Sequence, residues 1–283
     1  MSYKYQQVIR KDESFKTERP HKCQEGSHSG RVHSIESMST CDGPGLRQVI
    51  FLQGCPLRCI FCHNPDSWNH TAGQLNTADS ILEKISRFNA YSSAGGGVTI
   101  SGGEPFFQPC FLLELLFGFK LRGIHTAVDT SGWPHKLEND CLLTAILTQT
   151  DLLLIDDKSP DPAEYRLLTG LDPAGRDYLI NAAIRCKTPV WLRHVVLPEF
   201  NTSKEAIKKL ANWICDLQNR GLRIEQVSLL SYHRLGVHKY QALGLEYSLN
   251  GMPALEDNEL AQYIERLRCE IDKRLPSFSF TIE

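Results

Sequence analysis

Six short apolar runs, each followed by a loop and then by a segment of helical periodicity or another such loop, constrain this chain more than any other feature. They are QVIFLQ (48–53), VTIS (98–101), HTAVDT (125–130), LLLIDD (152–157), VWLRHVV (190–196) and QVSLLS (226–231). Strands this continuously apolar must be covered on both faces, which is the condition of a parallel sheet with helices packed against it. The helical segments supply the cover. Between the fifth and sixth runs Ile207, Leu210, Ala211, Ile214 and Leu217 form one apolar stripe, Thr202 and Glu205 have the spacing of a capping box, and Gly221 supplies the stop. Further helices are predicted over 110–122 before Gly123, from Thr77 through Phe88, and around Leu260, Ile264, Leu267 and Ile271. The fold class is therefore α/β.

In parallel β/α architectures the loops at the carboxyl ends of the strands converge on one face and carry the chemistry. All six ends here carry unusual polar residues. The first is followed by Cys55, Cys59 and Cys62, the second by Gly102, Gly103 and Glu104, and the third ends on Asp129 and Thr130. The fourth ends on Asp156, Asp157 and Lys158, the fifth carries Arg193 and His194, and the sixth runs into Tyr232 and His233. One shared site accounts for all of them. Taken singly, Asp129 or Asp156 reads as a turn or cap residue and Arg193 as half of an ion pair.

Composition narrows the class. With 283 residues, formal net charge -2 and no Lys/Arg-rich run, the chain lacks the electrostatic footprint of a nucleic-acid binder. No apolar stretch is long enough to cross a bilayer, so no membrane partner is expected. Residues 1–30 are polar and poor in aliphatics and are predicted to be a flexible extension, leaving 31–283 as the folded domain. Seven of the ten cysteines are scattered without a disulfide-like spacing, which suits a reducing, cytoplasmic setting.

GCPLRCIFCHN (54–64) then poses the functional question, because three cysteines fall within eight residues and no fourth lies nearby. Three ligands leave one coordination position open, as catalytic sites require. With zinc, His63 would be the fourth ligand and the chain a zinc-binding scaffold. Alternatively three thiolates hold three corners of a [4Fe-4S] cluster and leave one iron for substrate. Gly102 and Gly103 allow close approach to the backbone, and Glu104 adds a carboxylate suited to an ammonium group.

CPLRCIFC, with Phe61 before its last cysteine, resembles the cluster motif of the radical S-adenosylmethionine superfamily, and SGGE one strand later strengthens the resemblance. CDGPGLR (41–47), FLQGCPLRCIFCHNPDSW, GGGVTISGGEP, GIHTAVDTSG, WLRHVVLP and YHRLGVHKY are similar to the pyruvate formate-lyase type of glycyl-radical activase, over roughly residues 30–283. The resemblance implies a partial (β/α)6 barrel. It implies a [4Fe-4S] cluster on Cys55, Cys59 and Cys62 and S-adenosylmethionine at the open iron, whose reductive cleavage yields a 5′-deoxyadenosyl radical that takes hydrogen from a glycine of pyruvate formate-lyase. Phe61 and His63 would then lie beside the adenine, Gly102, Gly103 and Glu104 would receive the methionine ammonium, and Asp156, Lys158 and His233 would contact the rest of the cosubstrate. Asp129, Thr130 and Asp156 match the family's monovalent-cation site, for Na+ or K+. Asp42 and Arg193 would place the glycine loop, and a flavodoxin or ferredoxin would supply the electron.

Three positions depart from the family pattern: Pro105 after Glu104, Cys41 beside DGPG, and Asp157 between Asp156 and Lys158. Asp157 replaces an apolar residue and would either shift the local charge or face solvent. From Asn64 to Ile100 there is no cysteine, so the inserted cluster segment of other activases is missing. Activation of another glycyl-radical enzyme is the neighbouring alternative.

Overall fold

The computed structural model describes residues 29–86, 95–133 and 140–283, with the Asp140 side chain left out. Nine strands form one sheet among these residues: β1 (Ser29–Ser39), β2 (Arg47–Leu52), β3 (Gln74–Thr77), β4 (Gly97–Gly102), β5 (His125–Thr130), β6 (Leu152–Asp157), β7 (Val190–Val196), β8 (Ile224–Ser231) and β9 (Thr281–Ile282). Their order is β3-β1-β2-β4-β5-β6-β7-β8-β9. From β2 to β9 every neighbouring pair is parallel, whereas β1 pairs antiparallel with both β2 and β3. The outermost strands do not pair with each other, so the six predicted strands and their helices make a partial (β/α)6 barrel that stays open.

The helices are α1 (Ala78–Ser86), α2 (Pro109–Leu121), α3 (Asp140–Thr148), α4 (Pro162–Thr169), α5 (Ala174–Cys186), α6 (Lys204–Asn219), α7 (Val237–Ala242) and α8 (Asp257–Asp272). Alternation along each strand sorts its side chains between two environments. Val98 and Ile100 of β4, Leu153 and Ile155 of β6 and Leu192 of β7 face the helices and join the main core with Leu112, Leu115, Ile207, Leu210 and Ile214. The intervening Ala127, Leu152 and Leu154 pack with Trp191 as a separate apolar floor inside the barrel. Polar side chains above that floor face the barrel's mouth.

Several boundaries differ from the sequence-based expectation. The side chain of Ser203, not Thr202, caps α6 by accepting from the Ala206 N–H at 3.1 Å, so the Thr202/Glu205 spacing is not the cap. Strand β1 begins at Ser29 and pairs there with Thr77, so the folded domain starts before residue 31. Residues 1–28 of the predicted extension, and the last two residues of the helix expected to reach Phe88, lie outside the described residues. Strands β1, β3 and β9 escaped the apolar-run criterion because β1 and β3 are exposed on much of their length and β9 has two residues. Among the described residues no helix is long and apolar enough to cross a membrane.

Candidate active site

The cysteine loop leaves β2 through Gly54, whose φ of +96° lies in the region that favours glycine. Backbone hydrogen bonds fasten it on two sides. Gly103 N–H donates to Leu52 O at 2.8 Å and Glu104 N–H to Gly54 O at 2.9 Å, so SGGE is laced to the root of the loop. On the other side Arg58 N–H donates to Thr169 O at 2.8 Å and Ile60 N–H to Leu168 O at 3.0 Å, at the end of α4. Arg58 Nη1 also donates to Cys55 O at 2.8 Å, and Tyr240 of α7 donates its hydroxyl to Cys62 O at 3.0 Å. A Cβ on Gly103 would stand 2.2 Å from Gly54 O, which is why the second glycine of the motif has no side chain.

Cys55, Cys59 and Cys62 are free thiols, Cys55 buried and the other two half-buried. Burial raises the pKa of all three; for Cys59 the value is about 12, with the Cys62 charge adding to the rise and Lys158 opposing it. Three thiolates therefore cannot coexist in this pocket without a positively charged centre to stabilise them. Among the described residues no three His, Cys, Asp or Glu side chains converge on a point where one metal ion would fit. His63 does not complete the cysteine set: its Nε2 meets His233 O at 3.0 Å, and its ring stacks on that of His233 at 4.0 Å between centroids. Three thiols with His63 engaged elsewhere are the donor set of a cluster held by three cysteines, and the zinc scaffold loses its fourth ligand.

Facing the cysteines is a polar cluster. Glu104 is fully buried and accepts four hydrogen bonds: from Phe106 N–H at 3.1 Å, Thr130 Oγ1 at 2.6 Å, Ser131 N–H at 3.0 Å and Ser131 Oγ at 2.5 Å. Burial raises its pKa, and these donors, Ser131 first, counteract the rise. An incoming ammonium must displace a hydroxyl to reach this carboxylate. Asp129 accepts from Ser101 Oγ at 2.7 Å, but its Oδ1 is buried and has no hydrogen-bond partner; Arg193 Nη1 lies 3.2 Å away without being aimed at it. Burial lifts Asp129 to about 6 despite Arg193.

Asp156 pairs with Lys158 at 2.6 Å and lies 3.7 Å from Arg193 Nε. Burial alone would raise its pKa, yet Lys158 and Arg193 outweigh it and the carboxyl ends below its usual value. The Lys158 ammonium stands 5.5 Å from the centre of the Phe61 ring. Asp42, on the loop between β1 and β2, reaches 4.0 Å from Arg193 Nη1, and the Thr99 hydroxyl donates to Asp42 O at 2.5 Å. Arg193 is thus surrounded by three carboxylates, which raise its pKa, Asp129 most.

The structure brings the predicted residues of all six strand ends to one mouth, with exceptions on alternate positions. Asp157 and His194 face the helix layer, and Asp157 is neither exposed nor aimed into the mouth. Tyr232 is fully buried in an apolar cluster, its hydroxyl 2.8 Å from that of Tyr247. Sequence reasoning missed Ser101, Ser131, Thr99 and Arg47. Period-two alternation from Asp129 and from the core residues Val98 and Ile100 was the signal for Thr99 and Ser101. Arg47, fully buried at the foot of β2, donates to Thr99 Oγ1 at 3.0 Å and to Val98 O at 2.5 Å, and so supports the Asp42 loop.

An open β/α barrel with a three-thiol loop after its first parallel strand and a charged mouth facing it has the architecture of the radical S-adenosylmethionine superfamily. A family model described as a 4Fe-4S single cluster domain matches residues 41–162. The structure of SuiB from Streptococcus suis bound to S-adenosylmethionine has a similar fold, with a TM-score of 0.59 at 18% identity over 82% of this chain and 48% of that one. The pyruvate formate-lyase-activating enzyme of Clostridium pasteurianum is 45% identical over 84% of this chain and 98% of its own length, and that of Staphylococcus aureus is 40% identical over 81% and 91%. The chain belongs to the pyruvate formate-lyase-activating enzyme family.

Proposed function

We propose that this chain is an oxidoreductase that installs a glycyl radical on pyruvate formate-lyase, using a [4Fe-4S] cluster and S-adenosylmethionine. The observation that carries the reading is the three-thiol loop, buried at Cys55 and half-buried at Cys59 and Cys62, facing a mouth in which an aspartate oxygen, Asp129 Oδ1, is left without a hydrogen bond. Sequence identity of 45% to a relative matched over nearly its whole length supports the choice of partner. When bound, the cluster and cosubstrate supply one-electron cleavage of a sulfonium C–S bond and hence an organic radical able to take hydrogen from a glycine Cα.

This chain's residues bind, orient and shield. Cys55, Cys59 and Cys62 hold the cluster. Gly102 and Gly103, whose missing side chains make room for the Leu52 and Gly54 backbone, border the methionine end, and Glu104 receives its ammonium in place of a Thr130 or Ser131 hydroxyl. Phe61 and the stacked His63 and His233 face the adenosine end, with Lys158 and Asp156 between the two. Asp129, Thr130 and Asp156 hold a monovalent cation, Na+ or K+; the support is the Asp129 oxygen that has only an ion-pair contact with Arg193 and no hydrogen bond, and a carboxylate count too low for a harder ion. Asp42 and Arg193 orient the glycine loop. A flavodoxin or ferredoxin supplies the electron, and dependence on three free thiols suits a reducing, cytoplasmic compartment.

The test is anaerobic reconstitution with iron and sulfide, then incubation with S-adenosylmethionine, reductant and pyruvate formate-lyase, read by electron paramagnetic resonance. A radical on the lyase that moves with glycine labelling is expected. Deoxyadenosine formed without a lyase radical would assign the activity to a different acceptor.

A further inference from the structure

Asp157, the residue that departs from the family's apolar pattern, belongs to a buried charge network behind the mouth. Asp157, Arg176 and His194 are each no more than 3% exposed. Arg176 Nη1 donates to Asp157 Oδ1 at 2.5 Å and to Ser159 O at 2.6 Å, while its Nε and Nη2 donate to Asp177 Oδ1 at 3.0 and 2.9 Å. The guanidinium carbon lies 5.0 Å from the Tyr165 ring centre and 4.9 Å from that of Trp213. His194 Nδ1 faces two acceptors, Asp157 O at 3.1 Å and Asp157 Oδ2 at 3.2 Å, so it carries the proton. Asn201 Oδ1 accepts from Leu197 N–H at 2.8 Å, which turns its amide nitrogen toward His194 Nε2 at 3.0 Å. Both ring nitrogens of His194 thereby have partners.

The register gives the network its consequence. Asp156 pairs with Arg193 across β6 and β7, and Asp157 pairs with His194 one residue on. Because alternate side chains point to opposite faces, the same two strand ends carry an ion pair in the mouth and a hydrogen-bonded Asp–His pair behind it. Arg176 ties Asp157 and Ser159 together, so both neighbours of Lys158 in the chain's path out of the sheet, one before and one after, are held by a single guanidinium. A buried ion pair contributes little net stability compared with apolar packing, but it fixes geometry because its partners tolerate no rotation out of line.

We infer that Asp157, with Arg176 and His194, is a positioning residue that sets the angle at which Asp156 and Lys158 meet the cosubstrate. This rests on the proposed contact of Asp156 and Lys158 with S-adenosylmethionine. None of the three touches the ligand.

The experiment is anaerobic titration of the reconstituted protein with S-adenosylmethionine, followed by calorimetry and by the change in the reduced cluster's paramagnetic spectrum. Asp157→Asn, His194→Gln, His194→Asn and Lys158→Ala are compared with wild type, with iron content and melting temperature measured on the same preparations. Asp157→Asn and His194→Gln, which loses the Nδ1 donor, are expected to bind at least about tenfold more weakly at full cluster content. His194→Asn, whose amide nitrogen reproduces the Nδ1 donor, is expected to stay within about threefold of wild type. Affinity within about twofold of wild type in Asp157→Asn, with only melting lowered, would make the network a structural brace and overturn the inference. Should Asp157→Asn fail to fold, the Gln and Asn pair at His194 decides, since equal affinities in the two would likewise overturn it. Lys158→Ala separates the levels: if it binds normally the parent reading is wrong, and if it binds weakly while Asp157→Asn does not, only the positioning role falls.

Discussion

Replacing Glu104 by glutamine exchanges a carboxylate with four donors around it for an amide with one acceptor oxygen. Whichever way the amide turns, its NH2 group faces one backbone N–H, of Phe106 or of Ser131, and one hydroxyl. The hydroxyl can rotate and accept, but the backbone N–H cannot. A buried donor without an acceptor costs about 1–3 kcal/mol. Relief of the desolvation that raises the Glu104 pKa offsets part of the lost charge assistance, so a net loss of about 2 kcal/mol is expected. At ~2–4 °C per kcal/mol this lowers melting by roughly 4–8 °C. Circular dichroism of the metal-free chain under anaerobic conditions measures it. Cosubstrate affinity in the reconstituted protein should also fall by more than ~1 kcal/mol, the scale of a charge-assisted hydrogen bond. Unchanged melting would refute the four-donor environment. Lowered melting with unchanged affinity would refute the ammonium assignment and leave Glu104 as a brace between SGGE and β5.

Gly103→Ala brings a Cβ to 2.2 Å from Gly54 O and 3.2 Å from Cys55 Cβ, backbone and loop that cannot yield separately. Iron bound per chain after reconstitution should fall well below wild type, and full occupancy would contradict the close packing of the two motifs. His125 is held neutral by burial and by Arg47, whose Nη1 lies 3.0 Å from His125 Nδ1, so its pKa falls below 6.5 in the folded protein. The unfolded chain takes up that proton first as pH drops below 6.5, so folding stability is full above that pH and declines toward the depressed folded value. His63 and His233 act in the same direction. Asp129, raised to about 6, acts the opposite way, so the contribution is read as a difference: between pH 8 and pH 6 denaturant titrations should show a less favourable change in wild type than in His125→Asn, and an equal change would exclude His125 as a contributor. Asp129→Asn removes the carboxylate whose Oδ1 lacks a hydrogen-bond partner. Cosubstrate affinity that rises with added K+ or Na+ in wild type should become insensitive to either ion in this variant, and a preserved salt-specific rise would move the cation elsewhere.

The parallel core of this fold was legible because burial on both faces forces apolar runs: HTAVDT, LLLIDD and VWLRHVV coincide with β5, β6 and β7 residue for residue. Helices α4 and α5 were not legible. Their apolar positions are interrupted by residues such as Arg176, which reads as surface but is buried against Tyr165 and Trp213. Position at a strand end marks Asp129, Asp156, Lys158 and Arg193, but it does not distinguish adjacent residues. The pleat does, and it sends Asp157 and His194 to the other face. Glu104 illustrates a second limit: its position was evident, whereas three of its four donors come from Thr130 and Ser131, one strand away.

Charge links the fold to its chemistry. Asp42, Asp129 and Asp156 converge on Arg193 and Lys158, so three carboxylates face two cations in a pocket where desolvation strengthens every interaction. The excess is negative, and within it burial raises the pKa of Asp129 while Lys158 and Arg193 lower that of Asp156. A ligand that carries a sulfonium and an ammonium against one carboxylate brings net positive charge to that excess, as does a monovalent cation. The cysteine loop has the complementary requirement, since its thiolates need a metal centre before they can ionise together. Each half of the mouth is electrostatically incomplete by itself, and SGGE ties them together, its backbone bonded to Leu52 and Gly54 at the root of the cysteine loop and its Glu104 carboxylate to Thr130 and Ser131 beside Asp129.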